Sequence, residues 1–258
     1  MLVVIAPAKR LDWRPAACAR SRPRFHAEAA RLVALVRRLS ATDLARLMRL
    51  SPALAARAHC WFRDWRDDPP PEASRAAALG FAGDTYTGLH YPSFEPEMRA
   101  YAARHLRILS GLYGLLVPED AILPHRLEMG MRLDNPCGPR LYDWWRGRIA
   151  PALKADAAAS ASRVLVNCAS VEYANAIDRH ALGLPVITPR FEEARPGMAP
   201  RVEALHAKRA RGAMARFIIE NRLTDPDDLR HFDVMGYRFR LDSGTALNPV
   251  FRRLWPGG

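Results

Sequence analysis

At 258 residues the chain is long enough for one large domain or two small ones, with a sizeable buried core. Its 49% hydrophobic and 26% charged residues exclude a fibrous or wholly disordered polypeptide. The formal net charge of +12 points to a polyanionic partner, either nucleic acid or an anionic surface. An Ala- and Arg-rich composition bias is the competing explanation.

That bias makes the lysines informative. Among 39 basic residues only Lys9, Lys154 and Lys208 are Lys. A lysine kept in an Arg-saturated chain suggests a need for a compact ammonium, which guanidinium does not supply. Lys154 sits in an Ala-rich helical stretch and reads as exposed; Lys9 and Lys208 have more unusual surroundings. Cys18, Cys60, Cys137 and Cys168 are scattered with no CxxC, so reduced thiols are expected. The eight histidines are dispersed without ligand spacing, so neither a metal site nor a cofactor is expected. No signal peptide or bilayer-length apolar run is legible, and a cytoplasmic protein without a membrane partner follows as the expectation.

In chain order, residues 2–6 (LVVIA) read as a buried strand ended by Pro7, with a polar loop at 7–12. That end of a strand is where open α/β sheets bind ligands, although an ordinary turn fits equally. Residues 27–39 have helical periodicity. A helix at 43–50 is predicted with Thr42 as its cap, then another opened by Ser51 and Pro52. These two read either as a plain αα-hairpin or as a helix-hairpin-helix that holds a phosphate. Residues 67–72 (DDPPPE) form a stiff linker.

The glycines of GDTYTGL (83–89) predict a loop. A helix follows at 96–106, then an apolar run at 107–117 broken by two glycines. PHRLEMG (124–130) alternates like a strand, projecting Arg126 and Glu128 together as an ion pair or a site. Residues 164–166 repeat the opening arrangement, an apolar strand ending in polar residues, with Glu172 and Tyr173 on the helix that follows. Short strands are predicted at 186–188 and 237–241. Residues 206–223 (HAKRARGAMARFIIENRL) form a helix carrying Lys208, Arg209, Arg211 and Arg216, with Met214, Phe217 and Ile218 as its apolar stripe. The fold class is α+β: one compact domain over 1–258, a central mixed sheet flanked by helices, and a helical lobe at about 27–66 inserted or appended.

APAKRLD (6–12), GDTYTGL (83–89), LSGLYGLL (109–116), PHRLEMG (124–130), NCASVEY (167–173) and AKRARGAMARFIIENRL (207–223) occur in order. Together they resemble the YaaA peroxide-stress-resistance family of bacteria over essentially the whole chain. The resemblance implies a cytoplasmic protein with a positively charged cleft and a helix-hairpin-helix element that binds double-stranded DNA. It also implies protection of DNA from hydrogen peroxide and lowered free iron under that stress. The matching residues are Lys9, Asp84, Tyr86, Ser110, Tyr113, Arg126, Glu128, Ser170, Glu172, Tyr173, Lys208, Arg211 and Gly212. Ala6, His125 and Arg209 depart from the usual Ser, Tyr and Lys. The hairpin lacks its usual glycines, and 40–58 is the stretch assigned to it.

Two readings follow. In the first, Lys208, Arg209, Arg211 and Arg216, with Arg49, Ser51 and Arg57 of the hairpin, hold DNA phosphates without reading sequence. In the second, the chain is an enzyme acting on a nucleobase, nucleotide or damaged nucleic acid. There Glu172 or Glu128 serves as base, Lys9 or Lys208 as electrostatic or nucleophilic partner, and Ser170 and Tyr173 as orienting groups. The second requires these residues to converge on one cavity; the same carboxylates could instead be buried partners of basic residues. Iron binding is disfavoured by the histidine spacing, and a monomer is expected.

Overall fold

The structure, a computed structural model, describes residues 1–14 and 21–255; Cys18 lies outside the described residues. Strand β1 (Leu2–Ile5) is buried throughout, as a β-branched run covered on both faces must be. Around it stand β2 (Leu106–Ser110), β3 (Gly114–Leu116), β4 (Leu165–Cys168) and β5 (Val186–Ile187), in the order β3-β2-β1-β4-β5. All neighbours are parallel except the β2–β3 hairpin, which takes Gly114 at φ 67°, while Gly111 makes room for the Leu127 carbonyl.

The register sets the position of the site. Ile5 stands opposite both Ile108 and Cys168, so β1, β2 and β4 present their C-terminal ends at one level. After β1 the chain goes to β2 on one side; after β4 it goes to β5 on the other. The crevice between β1 and β4 is therefore a topological switch point, where the two following connections diverge.

A second sheet, in the order β6-β8-β7, consists of β6 (Arg190–Ala194), β7 (Arg238–Thr245) and β8 (Asn248–Leu254). Only the start of β7 is legible as a strand. In β6 the sequence RFEEA looks exposed, yet Glu192 and Glu193 are buried against Arg252 and Arg253 of β8, at 2.9 and 2.8 Å. Arginine partners supplied from sixty residues away reverse the usual meaning of two glutamates in a row.

Helices α1 (His26–Val36), α2 (Ala41–Met48) and α3 (Pro52–Asp64) occupy the expected region. The cap of α2 is Ser40, not Thr42. Ser40 Oγ accepts from the Asp43 amide at 3.1 Å while the Asp43 carboxylate accepts from the Ser40 amide, a capping box that a start two residues later, at Thr42, would forfeit. Ser51 caps α3 ahead of Pro52, as predicted. The turn between α2 and α3 contains no glycine; Arg49 takes the left-handed conformation at φ 52°. Pro52 has no amide hydrogen and the Leu54 amide is taken by Ser51, so the start of α3 is an αα-hairpin with few free donors.

Two local readings are corrected. The expected loop at GDTYTGL is helix α4 (Asp84–Leu89): Gly88 is there for a close backbone approach, not for a turn. PHRLEMG is extended and alternates in burial, but no strand among the described residues pairs with it: the alternation is present and the ladder is not. Further helices include α5 (Pro96–His105), α6 (Ile149–Ala159), α7 (Val171–Ala174) and α8 (Ala204–Glu220). Buried apolar residues form a cluster running from Met1 to Phe251 through the sheet and these helices. Among the described residues no helix is long and apolar enough to cross a membrane.

Candidate functional site

Helices α4 and α8 cross with their glycines in contact. A Cβ on Gly88 would lie 2.0 Å from the Arg209 carbonyl oxygen, and one on Gly212 would lie 1.8 Å from that of Thr85. This crossing leans α8 against the N-terminal turn of α4 and brings Lys208 and Arg211, three apart on one helical face, over the ends of β1 and β4.

The result is a cavity of about 500 Å³ at the switch point. Its walls come from the loop after β1 (Pro7 to Arg10), the segment before and within α4 (Phe81 to Thr85), and the extended stretch His125 to Glu128. Ser170, Glu172 and Tyr173 after β4, with Lys208 and Arg211, complete it. Lys9, Glu128, Ser170, Glu172, Tyr173 and Lys208, dispersed over two hundred residues, thus meet in one place. Arg211, Asp84 and Arg126 join them.

The charges are not equally free. Glu128 bridges two cations, with Oε2 3.1 Å from Lys9 Nζ and Oε1 3.2 Å from Arg126 Nη2. Lys9 is largely exposed, whereas Arg126 and Glu128 are mostly covered. The Nε of Arg126 is buried without an acceptor among the described residues. Glu172 Oε1 accepts from the Gly130 amide at 2.9 Å, and the Tyr142 hydroxyl donates to the Glu172 carbonyl at 2.7 Å, which fixes α7 against 130–142. Lys208, Arg211 and Asp84 have no hydrogen-bonding or ionic partner among the described residues.

Burial governs the titratable groups here. It lowers the Arg211 guanidinium pKa, an effect the Cys168 thiol beside it partly opposes. It pushes the Cys168 thiol up to about 12, so that sulfur is not a thiolate. It raises Tyr173, with the Glu172 and Glu128 carboxylates adding to the effect, and raises Tyr86, whose hydroxyl donates to the Ala6 carbonyl at 3.2 Å. His125 drops to about 4, held neutral by burial between Phe81 and Tyr113 while Nδ1 donates to the Leu123 carbonyl at 2.8 Å. Ser110 is also buried, and its hydroxyl accepts from the Tyr113 amide at 3.1 Å, holding the β2–β3 turn.

Beside this cavity runs a larger groove of about 1110 Å³, sharing Lys9, Arg126 and Glu128 as a common wall. Arg38 just after α1, Arg46 of α2, Arg49 of the turn and Arg132 line it, opposed by Asp43 and Asp134. Arg38, Arg46 and Arg132 were not singled out by sequence reasoning. Each is an isolated arginine on a polar face, and only the packing of α1 and α2 against 130–134 collects them.

Of the other predicted phosphate ligands, Arg49 stands in the groove, while Ser51, Arg57, Arg209 and Arg216 line neither space. Arg216 is occupied elsewhere: Nη1 donates to Ser93 Oγ at 2.8 Å, Nη2 lies 3.2 Å from Glu220, and the guanidinium covers Phe94. No three His, Cys, Asp or Glu side chains among the described residues stand close enough to hold a metal ion.

A mixed α/β protein with a cation-rich cavity at its switch point, opening beside a basic groove, is the class this geometry defines. The pattern of the family described as peroxide stress protein YaaA matches residues 1–243, and the chain belongs to that family. It is 50% identical over 257 residues to a UPF0246 protein of Roseobacter denitrificans, covering 99% of both chains. It is 52% identical to a UPF0246 protein of Dinoroseobacter shibae, over 99% of this chain and 96% of that one. A UPF0246 protein of Phenylobacterium zucineum is 44% identical over 99% of this chain and 96% of its own.

Proposed function

We propose that this chain binds double-stranded DNA through the basic groove, without sequence preference, and so shields it during peroxide stress. One observation carries the reading. Arg10, Arg38, Arg49, Arg132, Lys208 and Arg211 line the two adjoining spaces with no carboxylate within 4.0 Å among the described residues. A set left unpaired along one groove is what a phosphate backbone neutralises, releasing its counterions. The α2–α3 hairpin contributes Arg49 from its turn, and its exposed Ser51 and Arg57 extend the basic face beyond the groove. The family's description supplies only the peroxide-stress setting; that binding shields the DNA is part of the proposal.

The test is fluorescence anisotropy of a labelled duplex with the full chain at rising salt. Several phosphate contacts predict a loss of about a thousandfold in affinity between 50 and 200 mM. Affinity that stays constant with salt, or a strong preference for one sequence, would sink the proposal.

A further inference from the structure

The cavity between β1 and β4 contains more than a phosphate backbone needs, and we infer that it is a site for one nucleotide unit. Its phosphate would lie on Lys208 and Arg211, and its base would lie toward Asp84 and Glu172. The inference rests on the DNA reading for the source of that nucleotide but not for the chemistry of the cavity.

Glu128 spends both oxygens on Lys9 and Arg126, and one oxygen of Glu172 is held by the Gly130 amide. Two carboxylate acceptors therefore remain among the described residues lining the cavity: the whole Asp84 carboxylate and Glu172 Oε2. The unspent donors include Lys208 and half-buried Arg211, one turn apart on α8, beside Arg10 and the unpaired Nε of Arg126. A covered guanidinium without an acceptor is costly unless a ligand supplies one.

A simple anion would answer the two cations and leave the carboxylates facing nothing. A simple cation would answer the carboxylates and meet Arg211. The complementary ligand is anionic at one end and carries N–H donors at the other. Phe81, Leu127 and Tyr173 line the space between, a surface suited to a flat ring. A volume of about 500 Å³ lies within the range of small-molecule sites and excludes a duplex. Because this cavity shares a wall with the groove, a nucleotide swung out of a bound strand could enter it, as in proteins that extrude a base. A free mononucleotide offers the same chemistry, and experiment separates the two sources.

The first arm titrates the full chain calorimetrically with deoxynucleoside 5′-monophosphates, the matching nucleosides, and inorganic phosphate. Monophosphates should bind at least about tenfold more tightly than either part alone, as expected for charge-assisted bonds at both ends. Lys208→Ala should weaken the monophosphate and spare the nucleoside, whereas Asp84→Asn should weaken both. Both side chains are at least partly exposed, so these variants should fold, and circular dichroism checks it. Arg211→Lys keeps the charge and should restore most of the binding lost in Arg211→Ala.

The second arm uses a duplex with a central 2-aminopurine opposite a mismatch. A fluorescence rise on binding that Asp84→Asn abolishes identifies an extruded base; a silent duplex with intact mononucleotide binding identifies a free nucleotide. Inorganic phosphate binding as tightly as the monophosphates, or silence in both arms, overturns the inference. Arg49→Ala with Arg132→Ala should lose duplex affinity and keep mononucleotide binding. Unchanged duplex affinity in that variant would count against the groove alone.

Discussion

Gly88 and Gly212 face each other across the α4–α8 crossing at a separation that admits no side chain: a methyl group on either would stand about 2 Å from a carbonyl oxygen of the opposite helix. Both obstacles are backbone, which cannot rotate aside. Gly212→Ala must therefore part the helices or bend one of them. A loss of about 3 kcal/mol is expected, the upper end for overpacking, or roughly 6–12 °C in melting temperature. Thermal unfolding followed by circular dichroism measures it, and an unshifted midpoint would show that the crossing is looser than described. The same displacement should carry Lys208 and Arg211 off the cavity, so DNA affinity should fall even where the variant remains folded.

This relationship shows where the sequence was legible and where it was not. The strands β1 and β4 announce themselves as short apolar β-branched runs, and the polar residues after them were recognisable as a sheet edge. Lys9 and Lys208 stood out because an Arg-saturated chain had kept them. Gly88 pointed the wrong way: a glycine between threonine and leucine signals a turn, and only its partner 124 residues later shows it to be a helix contact. Arg126 and Glu128 were readable as a projecting pair, but the third member, Lys9, was not. Arg38 and Arg132 were invisible for the opposite reason, since a single arginine on a polar face says nothing until packing gives it neighbours. Arg216 looked like one of a basic set, yet its fork is held by the turn at 89–93 and by Glu220.

His125 is buried against Phe81 and Tyr113, and its imidazole is lowered from an ordinary 6.5 to about 4. A depressed folded-state value means that the unfolded chain takes up the proton first as pH falls. The corresponding stability is complete above pH 6.5 and is lost progressively as pH drops through about 4. That depression corresponds to about 3 kcal/mol. Urea unfolding at pH 7 and pH 4.5 should therefore give a smaller difference for His125→Tyr than for the unaltered chain. An identical pH dependence would mean that His125 does not titrate as its burial requires.

Cys168 ends β4 at the cavity floor, and burial raises its thiol to about 12. A protonated, covered sulfur reacts poorly with peroxide and with alkylating agents. Exposed Cys137 and half-exposed Cys60 should be modified first by iodoacetamide at neutral pH, with Cys168 reacting only on unfolding. Peptide mass mapping after a short pulse decides this. Rapid modification of Cys168 in the folded chain would reopen a redox role for it, whereas protection places any peroxide response outside this thiol.

The salt dependence of DNA binding separates arginines that contact phosphate from arginines that hold the fold. Arg49 and Arg132 line the groove without carboxylate partners among the described residues, so each substitution to Ala should remove about 0.9 from the slope of log affinity against log salt. Arg216 donates to Ser93, packs on Phe94 and pairs with Glu220. Arg216→Ala should lower the melting temperature and leave the slope where it was, because no phosphate contact is lost. The two measurements on the same three variants are anisotropy from 50 to 200 mM salt and thermal unfolding. If Arg216→Ala instead flattens the slope while Arg49→Ala and Arg132→Ala do not, the phosphate path runs along the outer face of α8 and the groove has another use.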